Sequence, residues 1–277
     1  MLRAPYRRYS RLYTYHLDAP CRLPGDDPDL IGVWPEDDGC VLFFHRPKDN
    51  LVAEICRQNG ARQVYQADLD YDDWEAGRQV ASFTVAGLRV APVWEEGPAD
   101  IRLDPSVIFG SGFHPSTRLC LEMLGKYQQS PEAGIHSVLD LGCGTGLLAI
   151  AAARGGARRV LAVDNNSLAC QVAAANCRLN EVEEIVTVSE TDLRRHCPDT
   201  GSFDLVIANL YQDLLGELFQ QEIFWRSRLL IVAGFIEPME EKLLGLLPAG
   251  RLRLLERNRR ERWCVWVLSN ARGFCER

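Results

Sequence analysis

The sequence predicts an α/β fold, a mostly parallel sheet covered by helices on both faces and preceded by a small α+β unit. Three observations predict it. From about residue 99 onward, short runs rich in Val, Ile and Leu alternate with longer helical segments, the pattern of buried strands joined by crossover helices. The strand-like run Ser137-Val-Leu-Asp-Leu leads directly into a glycine cluster that opens a helix. The last two strand-like runs, 251–258 and 262–269, are separated by only Arg259, Arg260 and Glu261, too short for a crossover, so that pair must be antiparallel.

A chain of 277 residues has room for about two domains. The polar segment Glu95-Glu-Gly-Pro-Ala-Asp, with Gly97 and Pro98, is the linker candidate and sets a boundary near residue 98, dividing the chain into 1–98 and 99–277. In the first unit, 39–44 reads as a strand, 50–59 as a helix closed by Gly60, and 80–94 as a hairpin, with a loop at Pro24, Gly25, Asp26, Asp27 and Pro28. In the second, strands are expected at 137–141, 159–164, 184–189, 203–208 and 229–233. Helices are expected at 146–153, 168–178, 213–224 and 238–247.

The composition, 47% hydrophobic and 25% charged, is that of a globular protein. With 31 basic against 38 acidic residues the net charge of -7 argues against general duplex-DNA binding. The longest strongly apolar stretch, 147–153, is far below the ~20 residues that span a bilayer, and the Arg-rich start lacks a secretory apolar run, so a cytoplasmic protein is expected. Ten cysteines without a Cys-x-x-Cys pair read as reduced, mostly buried thiols, and five histidines without ligand spacing give no metal site. The arginines at 257, 259, 260 and 262 are interrupted by Glu256 and Glu261 in the run and read as a solvated turn.

In Asp140-Leu-Gly142-Cys-Gly144-Thr-Gly146 the glycines let the backbone approach a ligand closely, but their spacing is not the Gly-x-Gly-x-x-Gly of a pyrophosphate site. Asp140 beside them opposes phosphate and suits a cation. No Lys-Ser/Thr follows, which disfavours an ATPase or GTPase. Asp164 closes the second strand, where a carboxylate accepts ribose hydroxyls, and Asp192 lies just past the third, on the adenine side of the same crevice. The competing readings are a strand-end turn for Asp140, a helix cap for Asp164 and a surface carboxylate for Asp192.

This stretch resembles the first motif of the class I S-adenosylmethionine-dependent methyltransferases, whose Rossmann-like sheet also ends in an antiparallel strand. Upstream, Arg102-Leu-Asp-Pro-Ser-Val-Ile-Phe109-Gly110-Ser-Gly112-Phe-His114-Pro-Ser116-Thr117 resembles the signature of the ribosomal protein L11 methyltransferases. Ala208-Asn209-Leu210 is similar to that family's Asn-Ile-Leu, and Trp263-Cys-Val-Trp-Val to its closing strand. The resemblance covers about residues 72–269, with Ser111 and Phe113 replacing the usual Thr residues and Leu-Tyr-Gln-Asp following Asn209. It implies S-adenosylmethionine as cofactor, a substrate-recognition domain in front, and methylation of lysine or N-terminal amines of ribosomal protein L11.

Within that resemblance, the loop carrying Phe109, Gly110, Gly112, His114 and Thr117 folds over the cofactor, together with Asp140, Gly142, Gly144, Gly146, Asp164 and Asp192. Asn209 orients the incoming amine through its side-chain carbonyl, unless it caps the following helix. His114 either orders the loop, bonds the cofactor's amino-acid end or acts as a general base. Thr117 is expected to cap a helix starting at 118, and Phe109 either packs on adenosine or is a core residue. Two other functions stay open: a lysine methyltransferase for a non-ribosomal protein, such as the electron-transfer flavoprotein β subunit, and a cofactor-binding protein without catalysis.

Overall fold

The computed structural model describes residues 9–21, 23, 27–36, 38–74, 80–248 and 250–270; the Arg-rich start, Pro24, Gly25, Asp26 and Cys275 of the readings above lie outside them. The first unit comprises β1 (Arg11–Leu17), β2 (Leu30–Glu36), β3 (Gly39–Phe44), α1 (Asp49–Asn59), β4 (Gln63–Asp70) and α2 (Tyr71–Trp74). Its strands form an antiparallel sheet in the order β2-β3-β1-β4. The expected strand at 39–44 and helix at 50–59 are β3 and α1, and Gly60 ends α1 in the left-handed conformation. β4 escapes sequence reading because it is an edge strand with most of its side chains in solvent, so no apolar alternation marks it.

Next come β5 (Phe83–Val85), β6 (Leu88–Pro92) and β7 (Ile101–Leu103). The first two form the expected hairpin, while β7 pairs in parallel with β6. The expected boundary near 98 is therefore corrected: residue 98 lies inside a three-stranded sheet, in the loop from β6 to β7. That loop is polar because it wraps a cation. The Arg102 guanidinium donates to the carbonyls of Pro92, Glu95 and Gly97.

The remainder is α3 (Pro115–Gln128), β8 (Ser137–Leu141), α4 (Leu147–Arg154), β9 (Arg159–Asp164), α5 (Ser167–Leu179), β10 (Val186–Glu190), β11 (Leu205–Asn209), α6 (Gln212–Phe219), β12 (Leu229–Ile236), α7 (Glu237–Leu244), β13 (Leu252–Arg260) and β14 (Trp263–Asn270). Seven strands form one sheet in the order β10-β9-β8-β11-β12-β14-β13. The first five are mutually parallel and β14 runs antiparallel to both neighbours, as the short final connection requires. From β8 the chain winds outward through β9 and β10, then returns to the other side with β11. The carboxyl ends of β8 and β11 thus flank a topological switch point, where such sheets hold ligands.

Alternate side chains of the central strands feed opposite cores. Val138, Ile207, Ile231 and Val265 pack with Leu119 of α3 and Leu148 of α4. Leu139, Val206, Leu230 and Trp266 pack on the other face with Leu215 of α6 and Leu243 of α7. Each such aliphatic side chain, withdrawn from water, contributes about 1.5–3 kcal/mol. α5 joins this domain to the first sheet: Leu168, Ala169 and Val172 share a core with Ile31, Val41 and Phe43. A Cβ at Gly32 would lie 2.4 Å from Leu168 Cδ1, so the two surfaces meet at backbone distance.

Three arginines of the last hairpin are paired. Arg257 and Arg259 reach Glu240, which is 2% exposed and also accepts from Trp266 Nε1 at 2.8 Å, and Arg260 binds Glu122 at 2.6 Å. The nine described cysteines are free thiols. No helix among the described residues is long and apolar enough to cross a membrane.

Candidate active site

A cavity of about 570 Å³ opens at the carboxyl ends of the parallel strands. Asp164, Asn165, Asn166, Thr191 and Asp192, from the ends of β9 and β10, line one end. Gly142 and Gly144 lie between, and Phe109, His114, Asn209, Tyr211, Gly234 and Trp263 line the other end. The structure thus brings Phe109, His114, Gly142, Gly144, Asp164, Asp192 and Asn209 to one space. Gly110, Gly112, Thr117, Asp140 and Gly146 stand behind its lining.

The glycine loop is held tightly from below. The Gly142 and Cys143 amides donate to the Val163 carbonyl at 2.8 and 3.0 Å, and the Gly144 amide donates to Asp164 Oδ2 at 3.0 Å. Asp164 Oδ1 accepts from the Asn166 amide at 3.0 Å. Burial pushes the Asp164 carboxyl up while the amides of Asn166, Gly144 and Asn165 oppose the shift. Asn166, not Asp164, caps α5. At Gly144 (φ 52°) a Cβ would sit 2.2 Å from the Phe109 carbonyl oxygen, so only glycine permits the overlying loop to lie this close.

Asp140 is not a turn residue: it is 1% exposed, inside β8, and among the described residues neither carboxylate oxygen has a partner of good hydrogen-bond geometry, the Ala149 amide giving only a weak opposing contribution. Burial first, and the Asp164 charge second, push its pKa up to about 7.

The loop before α3 is stapled across the glycines. Thr145 Oγ1 donates to the Gly110 carbonyl at 2.8 Å and its amide to the Phe109 carbonyl at 3.0 Å. Beneath them, fully buried Asn176 accepts from the Asp104 amide (2.8 Å) and donates to the carbonyls of Asp104 and Thr145, both at 2.9 Å. One turn later Asn180 does the same for Arg102, accepting from its amide at 2.8 Å and donating to its carbonyl at 2.6 Å. Sequence reasoning missed both asparagines. Their signal is the four-residue spacing of two amides on a helix whose other inward residues are apolar.

Phe109 is not a core residue; it is 56% exposed, its ring 5.0 Å from that of His114. His114 stands between Phe109 and Trp263, whose ring is 4.2 Å away. His114 also caps α3: Nδ1 accepts from the Ser116 amide at 3.3 Å and pairs with Ser116 Oγ at 2.7 Å. The expected cap at Thr117 is therefore corrected, since the helix begins at Pro115 and Thr117 is buried in its first turn. Proline at N1 moves the start forward, having no amide to leave unpaired.

Thr117 Oγ1 instead accepts from Asn209 Nδ2 at 3.3 Å. Asn209 lines the cavity, and its Oδ1 is buried without a hydrogen-bond partner among the described residues. Asn209 is not a helix cap, because α6 starts after Tyr211. Tyr211 accepts from Arg194 Nη2 at 3.0 Å, and Arg194 pairs with Glu217, so a side-chain bridge links two of the lining residues to α6. Gly234 was also missed. It sits at a bulge in β12, and a Cβ there would meet the Leu210 carbonyl oxygen at 2.1 Å.

No group of His, Cys, Asp and Glu among the described residues is arranged to hold a metal ion. The residues present fit S-adenosylmethionine. The volume suits a nucleoside with an amino-acid tail. Carboxylates stand at the ends of β9 and β10, and the unpaired acid beneath the glycines favours a cation over a phosphate.

The model of the family "Ribosomal protein L11 methyltransferase" matches residues 46–271. A ribosomal protein L11 methyltransferase of Caldicellulosiruptor bescii is 34% identical over 248 residues, covering 86% of this chain and 79% of the relative. One from Pelotomaculum thermopropionicum is 38% identical over 227 residues, 78% of this chain and 72% of its own. The crystal structure of a ribosomal protein L11 methylase from Lactobacillus delbrueckii subsp. bulgaricus superposes with a TM-score of 0.59 at 26% identity, over 69% of this chain and 98% of its own. Seven strands around a glycine loop, a signature loop stapled over it and a family match through most of the chain lead to one assignment: this chain belongs to the ribosomal protein L11 methyltransferase family and is an S-adenosylmethionine-dependent protein methyltransferase.

Proposed function

We propose that the chain methylates amines of ribosomal protein L11, with Asn209 as the group that orients the incoming nitrogen. The observation that carries the reading is Asn209, which ends β11 and lines the cavity, and whose side-chain oxygen is buried with no hydrogen-bond partner among the described residues. A buried carbonyl without a donor is unfavourable by about 1–3 kcal/mol, and an amine N–H relieves it. S-adenosylmethionine supplies an activated methyl group on a sulfonium when bound.

A lysine amine, ordinarily charged below a pKa of about 10.4, must lose a proton before it can attack. Phe109, Leu214 and Trp263 give this end of the cavity an apolar wall that disfavours the ammonium. Asn209 Oδ1 accepts one N–H and leaves the lone pair free to point at the methyl group. His114, with Nδ1 engaged by Ser116, holds the loop and the aromatic wall in place. Asp164 and Asp192 would hold the ribose and adenine, the glycines 142 and 144 would leave room for the methionine tail, and the buried Asp140 carboxylate would offset the charge of its ammonium. Gly110, Gly112, Gly146 and Thr117 support the residues in contact. The first sheet serves as the substrate-recognition part, a reading supported by the solvent-exposed Val64 and Tyr65 on its edge strand β4.

The test is transfer of isotope-labelled methyl groups by the pure protein into ribosomal and soluble fractions of an unmethylated lysate, resolved by intact-protein mass. Label in one ribosomal protein of L11 mass is expected. A labelled soluble protein moves the substrate to the non-ribosomal alternative, and no label despite cofactor binding removes catalysis.

A further inference from the structure

We infer that Trp34, from the first sheet, forms the aromatic wall of the purine end of the cofactor site, so that adenine is bound between the two halves of the molecule. Trp34 and Pro35 on β2 line the same cavity as Asp164 and Asp192. The Trp34 side chain, half-buried, packs against the core shared by Leu168 and Ala169 at the start of α5, and Ala169 itself faces the cavity. Asp164 ends β9, where ribose hydroxyls are accepted, so the base extends toward β10 and α5, where Ala169 and Trp34 stand. A flat indole edge-bounded by apolar groups presents a π-face to a purine.

The position of Trp34 is fixed by packing two residues away and by two tyrosines. Gly32 lies against Leu168 with no room for a Cβ. Tyr9 donates to Asp104 Oδ1 at 2.8 Å and Tyr71 to the Ser106 carbonyl at 2.5 Å, which ties the first sheet to the segment leading into the signature loop. The match to the family model begins at residue 46, so Trp34 lies outside it and is brought to the site by the fold of the first sheet.

The inference rests on the cavity being the S-adenosylmethionine site, and the experiment separates the two. S-adenosylhomocysteine is titrated into the full chain by calorimetry and by indole fluorescence, with W34A, W34F and the wild type, and ligand-free melting is recorded for each. The wild type binds; W34A binds about tenfold more weakly, and W34F stays within about threefold, because the phenyl ring keeps a π-face. W34F also loses a measurable part of the ligand-induced quenching that the wild type shows. W34A affinity within twofold of wild type with normal melting, or undiminished quenching in W34F, overturns the role of Trp34 while leaving the site intact. Should W34A fail to fold, the W34F quenching decides. A wild type that does not bind S-adenosylhomocysteine overturns both readings.

Discussion

Asn209 and Asp140 both bury side-chain oxygens that find no hydrogen-bond partner of good geometry among the described residues, yet the two predict different behaviour. Asn209 is proposed to act on the nucleophile. Asn209→Ala is expected to lower kcat about 100-fold while S-adenosylhomocysteine affinity by calorimetry stays within about twofold, the pattern of an interaction used in the reaction rather than in cofactor binding. Asp140 acts on stability. Its carboxyl, at about 7 in the folded chain against about 3.9 unfolded, makes the folded state bind more protons between those values. Unfolding free energy from this group therefore falls as pH rises through that window, by up to roughly 1.4 kcal/mol per unit, and is level above it. Asp164 shifts in the same direction. Melting of the ligand-free wild type and Asp140→Asn at pH 5 and pH 8 checks this: the variant's relative stability should rise with pH. These residues were picked out because carboxylates and an amide at or near strand ends, beside a glycine loop, carry chemistry by type and place. That Asn209 bonds to Thr117 was not legible, since it depends on a contact between residues far apart in sequence.

At the scale of elements, legibility followed burial. β8 and β9 were bounded to the residue because both faces are covered and the apolar run is continuous. β1 and β4 were not read at all, the one mixing tyrosines, Thr and His, the other standing in solvent at an edge. The boundary near 98 failed for a related reason: polarity marked a loop, and the loop joins two strands of one sheet. α5 contributes most beyond its own turns, since Asn176 and Asn180 give the backbone at 102–104 the hydrogen bonds that a neighbouring strand would otherwise provide. Asn176→Ala removes three hydrogen bonds to buried backbone groups and is expected to reduce stability by about 2–5 kcal/mol in urea unfolding. The glycine loop gives a companion test. Gly144→Ala forces the signature loop off its seat and should weaken S-adenosylhomocysteine binding more than tenfold in the same titration.

The described molecule has three sheets, and the first and the largest of them meet on α5. Leu168→Ala removes a side chain buried against both and should lower stability by about 2–5 kcal/mol. The same variant should weaken cofactor binding, measured by calorimetry, because Trp34 and Asn166 move with that surface. The sequence announced the larger sheet through its glycines and alternating runs, but the seam between the sheets is written in ordinary residues such as Gly32 and Leu168, whose meaning appears only when folded. The cavity wall itself draws on residues from Trp34 to Trp263, near the two ends of the described chain. A wall with that sequence span closes late: local sheets and helices condense quickly, whereas contacts between distant segments wait for the loops between them to be closed. On the ribosome, a partly made chain lacking β14 has no complete pocket, so the cofactor's stabilising effect reaches only molecules whose synthesis has passed Trp263.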